Sequence, residues 1–148
     1  MDKAALMNKL EDLLDDSKTG ILATTDVSGH PHIRWMTPII LKGRPFTLYC
    51  VTHPASHKVA NLAEHPEVQW MVQNRALTEI VTLKGSARIV DNPAMKTEIL
   101  EALGHRLTVF WNVNIDKTEL VILETVIDEA VYFRPMKGFE ESVNFAGA

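Results

Sequence analysis

The stretch TGILATTDVSGHPHIRWMTPIILKGRPFTLYCVTHPASHK, residues 19–58, decides the fold. It reads as strand, tight turn, strand, turn, strand, and then the opening of a helix. Residues 19–25 are small and β-branched, which suits a pleated, half-buried surface. Asp26-Val27-Ser28-Gly29 is turn chemistry, with Gly29 free to take a positive φ. Residues 30–41 resume as a strand that alternates about Arg34. His32, Arg34 and Met36 point one way, and Ile33, Trp35 and Thr37 the other. Pro38 has no N–H for a ladder, so this strand lies at an edge or is interrupted there. Lys42-Gly43-Arg44-Pro45 turns the chain again, and residues 46–51 form a third strand, giving a meander.

Two segments of the stretch carry chemistry. Arg34 is a cation in mid-strand. Its plain reading is an edge arginine or a salt bridge, and its functional reading is a clamp for phosphate or carboxylate, which the planar guanidinium fork fits. Thr52-His53-Pro54-Ala55-Ser56-His57-Lys58 joins a strand end to a helix start, where the first backbone N–H groups lack partners. An anion there gains those donors and the positive end of the helix dipole, each worth roughly 0.3–1 kcal/mol when exposed. Lys58 adds a full charge. Taken singly, Ser56 is an N-cap and Lys58 a solvated surface charge. Paired with Arg34, they are the equipment of a site for a phosphate-bearing ligand.

The flanks close a sheet around that site. Residues 2–16 form an amphipathic helix, with Leu6, Leu10, Leu13 and Leu14 on one face and Asp2 placed to cap it. Residues 54–62 form a short helix, ended before His65-Pro66. Residues 68–72 are a strand, and residues 79–90 a longer one in which Gly85 marks a bulge or barrel corner. Asn92-Pro93 supplies an N-cap and a first-turn proline for a helix through Leu103, stopped by Gly104. Residues 105–114 fit neither period, and Phe110-Trp111 is expected to pack. Residues 120–126 and 130–133 are the last strands. The tail, 137–148, is expected to be mobile or laid on a partner. Strands joined mainly by short turns, with small helices between, indicate a closed or split antiparallel barrel.

Composition bounds the function. The 148 residues, 46% hydrophobic and 23% charged, make one ordered domain with a full core. A net charge of −4 argues against general nucleic-acid binding. One cysteine, Cys50, in an apolar strand excludes an internal disulfide and fits a buried thiol in a reducing cytoplasm. No run approaches the ~20 apolar residues a membrane helix needs. The six histidines form no metal pattern, because Pro54 takes His53 out of the helix that His57 begins. No serine-hydrolase nucleophile elbow occurs. Ile39, Ile40, Trp70 and Met71 are more apolar surface than so small a chain hides alone, so a dimer is expected.

The ordered set of a D-x-x-G turn, P-H-I-R-W-M-T, L-Y-C-V-T, and S-H-K opening a helix through N-L-A-E-H-P-E-V resembles one family. It is similar to the pyridoxamine 5′-phosphate oxidase-like split-barrel flavoproteins, in the general stress protein branch. The likeness covers about residues 3–135 and is strongest from 19 to 72. It implies a mainly β fold with small helices, a six-stranded Greek-key split barrel. It also implies a cytoplasmic homodimer with FMN at each of two sites between the subunits. Arg34, Trp35, Met36 and Thr37 would then line the flavin edge and help hold its phosphate. Val51 and Thr52 would lie beside the ring or ribityl chain, and Ser56, His57 and Lys58 would bind phosphate. His57 stands where the oxidases have arginine, Ile80 where they carry a flavin-contacting glutamine, and their C-terminal tryptophan and arginine have no counterpart. The resemblance therefore implies a flavin-dependent oxidoreductase acting on a small molecule other than pyridoxamine phosphate. A non-enzymatic flavin- or haem-binding stress or carrier protein is the alternative, and a reductase using a deazaflavin cofactor is a third reading.

Overall fold

The computed structural model describes residues 1–54, 56–104 and 120–146, and the backbone alone at His57. The expectations for residues 105–114 lie outside the described residues. In chain order the elements are α1 (Lys3–Ser17), β1 (Gly20–Thr25), β2 (Pro31–Met36), β3 (Thr47–Thr52), α2 (His57–Glu64), β4 (Glu67–Gln73), β5 (Ile80–Val90), α3 (Pro93–Gly104), β6 (Val121–Arg134) and β7 (Phe139–Asn144). The strands form one open antiparallel sheet in the order β2-β1-β4-β5-β6-β3, with β7 also paired to β6. The six-strand path is that of a split barrel, and the seventh strand comes from the tail.

Local chemistry sets these elements where it was expected to. Asp2 caps α1 by accepting from the Ala5 N–H at 2.8 Å. Asn92 caps α3 by accepting from the Met95 N–H at 3.0 Å. Leu6, Leu10, Leu13 and Leu14 of α1 are buried. At about 1.5–3 kcal/mol per fully buried leucine, that face holds the helix against the sheet. In β5 the register shifts between Lys84 and Gly85. A Cβ on Gly85 would lie 2.2 Å from the Val126 carbonyl oxygen, so only glycine permits β5 and β6 to approach there.

Three expectations are corrected. The first three strands are not a meander: β2 pairs with β1, whereas β3 pairs with β6 at the opposite end of the sheet. A single bridge, Ile39 to Tyr49, ties the segment after β2 to β3. The cause lies in the two strands' surfaces. The outward face of β2 is exposed, whereas Leu48 through Thr52 are all buried. Leu48 and Cys50 enter the core under α1, and Tyr49 and Val51 enter a second core with Met95, Ile99 and Leu103 of α3. A strand apolar on both faces needs cover on both, and only the β6 edge beside α3 supplies it.

Residues 120–126 and 130–133, read as two strands, belong to one 14-residue strand, β6. One edge of β6 follows β5, and the other is shared between β3 at residues 121–126 and β7 at residues 129–134. The tail, expected to be mobile or laid on a partner, contributes β7 to this chain's own sheet. Its Val143 is buried, and Phe145 meets Phe46 edge-on with ring centroids 5.1 Å apart. Two apolar residues flanked by polar ones leave little period to read, yet they suffice to dock an edge strand.

Candidate functional site

Arg34 sits on the edge strand β2, opposite Leu22 of β1, and so projects from the interior face of the sheet. Its Nη1 donates to Thr24 Oγ1 at 2.7 Å. Burial lowers its pKa from the ordinary arginine value, although a guanidinium remains charged. Lys58, in the first turn of α2, is half-buried. Its pKa is lowered first by burial and then by the charge of Arg34, so Lys58 lies within electrostatic reach of that guanidinium. Lys58 also lies within electrostatic reach of Cys50, whose thiol burial pushes up to about 12. Among the described residues, neither Arg34 nor Lys58 forms a salt bridge. Two partly desolvated cations with no carboxylate between them are costly to hold together, and an anion relieves that cost.

The start of α2 adds donors. Ser56 is its N-cap, with extended backbone at φ −69° and ψ 150°, but its hydroxyl makes no capping bond. The Ser56 Oγ is buried without a partner among the described residues. A buried hydroxyl left unbonded costs roughly 1–3 kcal/mol, which is unusual at a helix cap unless a ligand completes it. Thr52 is buried at the end of β3, and strand alternation puts it on the same face as Cys50. The donor set of Arg34, Lys58, Ser56 and the first amides of α2 therefore fits a phosphate.

Beside Arg34 a groove of about 330 Å³ runs between the β1–β2 turn and α2, lined by Asp26, Val27, Ser28, His32, Arg34 and Asn61. Asp26 organises its rim. Its Oδ1 accepts from the Ser28 and His30 N–H groups, each at 2.9 Å, and its Oδ2 meets His32 Nε2 at 2.8 Å. The His32 contact, followed by the backbone bonds, holds the Asp26 carboxyl down at about 2. The sequence reading did not nominate Thr24, His32 or Asn61. Two spacings marked them: His32 is two residues before Arg34 on one strand face, and Asn61 is one helical turn beyond Lys58.

Not every nominated residue joins the group. Trp35 faces away from Arg34 and is 78% exposed, on the outer side of the edge strand with Ile33 at 72%. Met36 packs against the core, and Thr37 lies half-buried just past β2, outside the groove lining. Val51 is buried in the second core, facing away from Cys50. His57 opens α2, and its side chain lies outside the described residues. Of the residues expected at a dimer surface, Ile39 and Trp70 are core residues, 4% and 2% exposed, and the Trp70 Nε1–H donates to Thr125 Oγ1 at 3.1 Å. Ile40 and Met71 are half-buried. Among the described residues, no group of three or more His, Cys, Asp or Glu side chains is placed to hold a metal ion.

Comparison with known proteins places this architecture. A structure from Clostridium acetobutylicum, related to general stress protein 26 of Bacillus subtilis and of the pyridoxinephosphate oxidase family, superposes with a TM-score of 0.73 at 16% identity. The match covers 98% of this chain and 97% of that one. General stress protein 26 from Bacillus anthracis gives a TM-score of 0.71 at 19% identity, covering 95% and 98%. A protein known as F420 reductase gives 0.62 at 20% identity, covering 81% and 94%. No curated protein matches the chain in sequence. At these identities the superpositions establish the fold alone. The sequence profile described as Pyridoxamine 5'-phosphate oxidase, however, matches residues 6–132, most of the chain, and on that match this protein belongs to the pyridoxamine 5'-phosphate oxidase family.

Proposed function

We propose that this chain binds FMN, with the flavin phosphate between Arg34, Lys58 and the start of α2, and that it acts as a flavin-dependent oxidoreductase on a small molecule. The observation that carries this reading is the cation pair. Arg34 and Lys58 are partly buried, burial lowers the pKa of each, the charge of Arg34 lowers that of Lys58 further, and neither has a carboxylate partner among the described residues. The buried, unbonded Ser56 hydroxyl beside them is the third element of the same cradle. Family membership supplies the expectation of a flavin, since the fold serves oxidases whose chemistry is the cofactor's. When bound, a flavin supplies hydride and electron transfer. Arg34, Lys58, Ser56 and the first amides of α2 would anchor its phosphate.

The working unit in this reading is a homodimer, with the flavin between two copies. Ile33 and Trp35 are the most exposed large apolar side chains of the edge strand. With Ile21 and Met71 on the same outer face, they form an apolar surface that a second copy would cover. Light scattering at micromolar concentration, run with a visible spectrum of the purified protein, tests the reading. A dimer carrying the flavin absorption band is expected, and a flavin-free monomer that stays monomeric with added FMN refutes it. Oxidation of NAD(P)H by the flavin-loaded protein then separates enzyme from carrier.

A further inference from the structure

We propose that His32 and Asn61 complete the phosphate clamp begun by Arg34 and Lys58, with Asp26 the positioning residue that holds the His32 ring. This rests on the phosphate reading of Arg34 and Lys58, and it adds ligand-binding residues from two further positions.

The geometry of the groove is the ground for it. His32, Arg34 and Asn61 line one groove of about 330 Å³. His32 and Arg34 share the interior face of β2. Asn61 lies one turn after Lys58 on α2 and so shares its side of that helix. Asn61 is nine-tenths buried. Its backbone carbonyl accepts from the His65 N–H. Its side-chain amide has no hydrogen-bond partner among the described residues. An unbonded amide that opens onto the groove from a largely buried residue, beside an arginine with no carboxylate partner among the described residues, is a group available to a polar ligand.

The carboxylate in the groove keeps its negative charge, which a protonated His32 offsets, and its oxygens are turned to donors. Oδ1 takes two backbone N–H groups and Oδ2 takes His32 Nε2. That last contact also fixes what His32 can offer. With Nε2 donating to Asp26, the neutral ring has only an acceptor at Nδ1, which a phosphate oxygen avoids. The protonated ring has an N–H at Nδ1 and a positive charge. His32 therefore assists phosphate when protonated and withdraws when neutral. The charged and titratable groups around it are Asp26 and His30 from the turn, Arg34 from its own strand, and Lys58 from α2 behind Arg34. His30 Nδ1 is 3.7 Å from Asp26 Oδ1 and is a second imidazole beside the same carboxylate, so it needs its own control.

Titrations of FMN, riboflavin and inorganic pyrophosphate at pH 6 and pH 8 test this in wild type, His32→Gln, His32→Lys, Asn61→Ala and His30→Gln. His32→Gln is expected to weaken FMN and pyrophosphate roughly five- to tenfold at pH 6 and little at pH 8. His32→Lys restores tight binding at both pH values. Asn61→Ala weakens both ligands roughly three- to tenfold at either pH, and riboflavin binding is unchanged throughout. His30→Gln keeps the wild-type pH profile. Asp26→Asn removes the His32 contribution, and combining it with His32→Gln adds nothing further. His32 is half-exposed, so folding of its variants is checked by thermal melting. If His32→Gln and Asn61→Ala keep wild-type FMN affinity while Arg34→Ala loses it, this inference is overturned and the cation-pair reading stands. If wild type binds FMN no better than riboflavin, both fall.

Discussion

Replacing Lys58 with methionine separates a ligand-binding lysine from a structural one, because the two roles predict opposite signs. In the ligand-free fold Lys58 is partly desolvated and faces the charge of Arg34, and both effects lower its pKa. A lysine that holds its proton less tightly when folded than when unfolded destabilises the fold while it is charged. The penalty is complete at pH 7 and shrinks as pH rises through the folded pKa toward the unfolded value near 10.4. Methionine keeps most of the stem and removes the charge. Half-exposure and solvent screening limit the gain to about 1 kcal/mol. In a domain of this size that raises Tm by about 2–4 °C. FMN does the reverse. At a concentration one hundred times its Kd it stabilises wild type by about 2.7 kcal/mol, and a ten- to hundredfold loss of affinity in Lys58→Met removes about half or more of that. Melts of both proteins with and without FMN should therefore cross: the variant more stable alone, the wild type more stable with ligand. A variant that melts lower than wild type without FMN refutes the reasoning, since Lys58 would then support the fold.

Three further outcomes are expected. Trp35→Asp should convert a dimer to monomer by light scattering while leaving the ligand-free monomer's Tm within about 2 °C, because the ring is 78% exposed and packs against little of its own chain. Gly85→Ala should cost at least about 2 kcal/mol by urea unfolding or prevent folding, because its Cβ would meet the Val126 backbone oxygen at 2.2 Å. Asp26→Asn should lower stability between pH 5 and 7 and lose that deficit as pH falls toward 2. The wild-type carboxyl, held down at about 2 chiefly by His32, contributes only while it stays ionised, a contribution present above its unfolded value near 3.9.

Local chemistry was legible in the sequence wherever its cause was local. A serine-poor start still showed Asp2 as a cap, Asn92-Pro93 opened α3, and Gly85 marked the bulge. Pairing between distant strands was not legible. Nothing within residues 46–51 says whether they follow β2 or join a strand more than 70 positions later, as Leu48 does with Thr125. The break read into residues 127–129 reflects the bulge: the register passes from Lys84–Glu129 to Gly85–Ile127 and leaves Asp128 unpaired in that ladder, which disrupts the period without ending the strand. At the site, alternation along β2 already put Trp35 on the face opposite Arg34, and the structure follows the alternation. The pairing of Arg34 with Lys58 was read from the sequence, whereas the buried, unbonded Ser56 hydroxyl was not, since a serine before a helix reads as an ordinary cap.

The phosphate clamp is tested most directly by calorimetric titration of FMN and riboflavin into wild type, Arg34→Ala and Lys58→Ala at pH 7. Each loss should weaken FMN by about 1.5–3 kcal/mol, or ten- to more than a hundredfold, the range for hydrogen bonds to charged groups. Riboflavin, which lacks the phosphate, should bind all three alike. FMN affinity that is unchanged in both variants, or riboflavin affinity that falls with it, would contradict a phosphate held between Arg34 and Lys58.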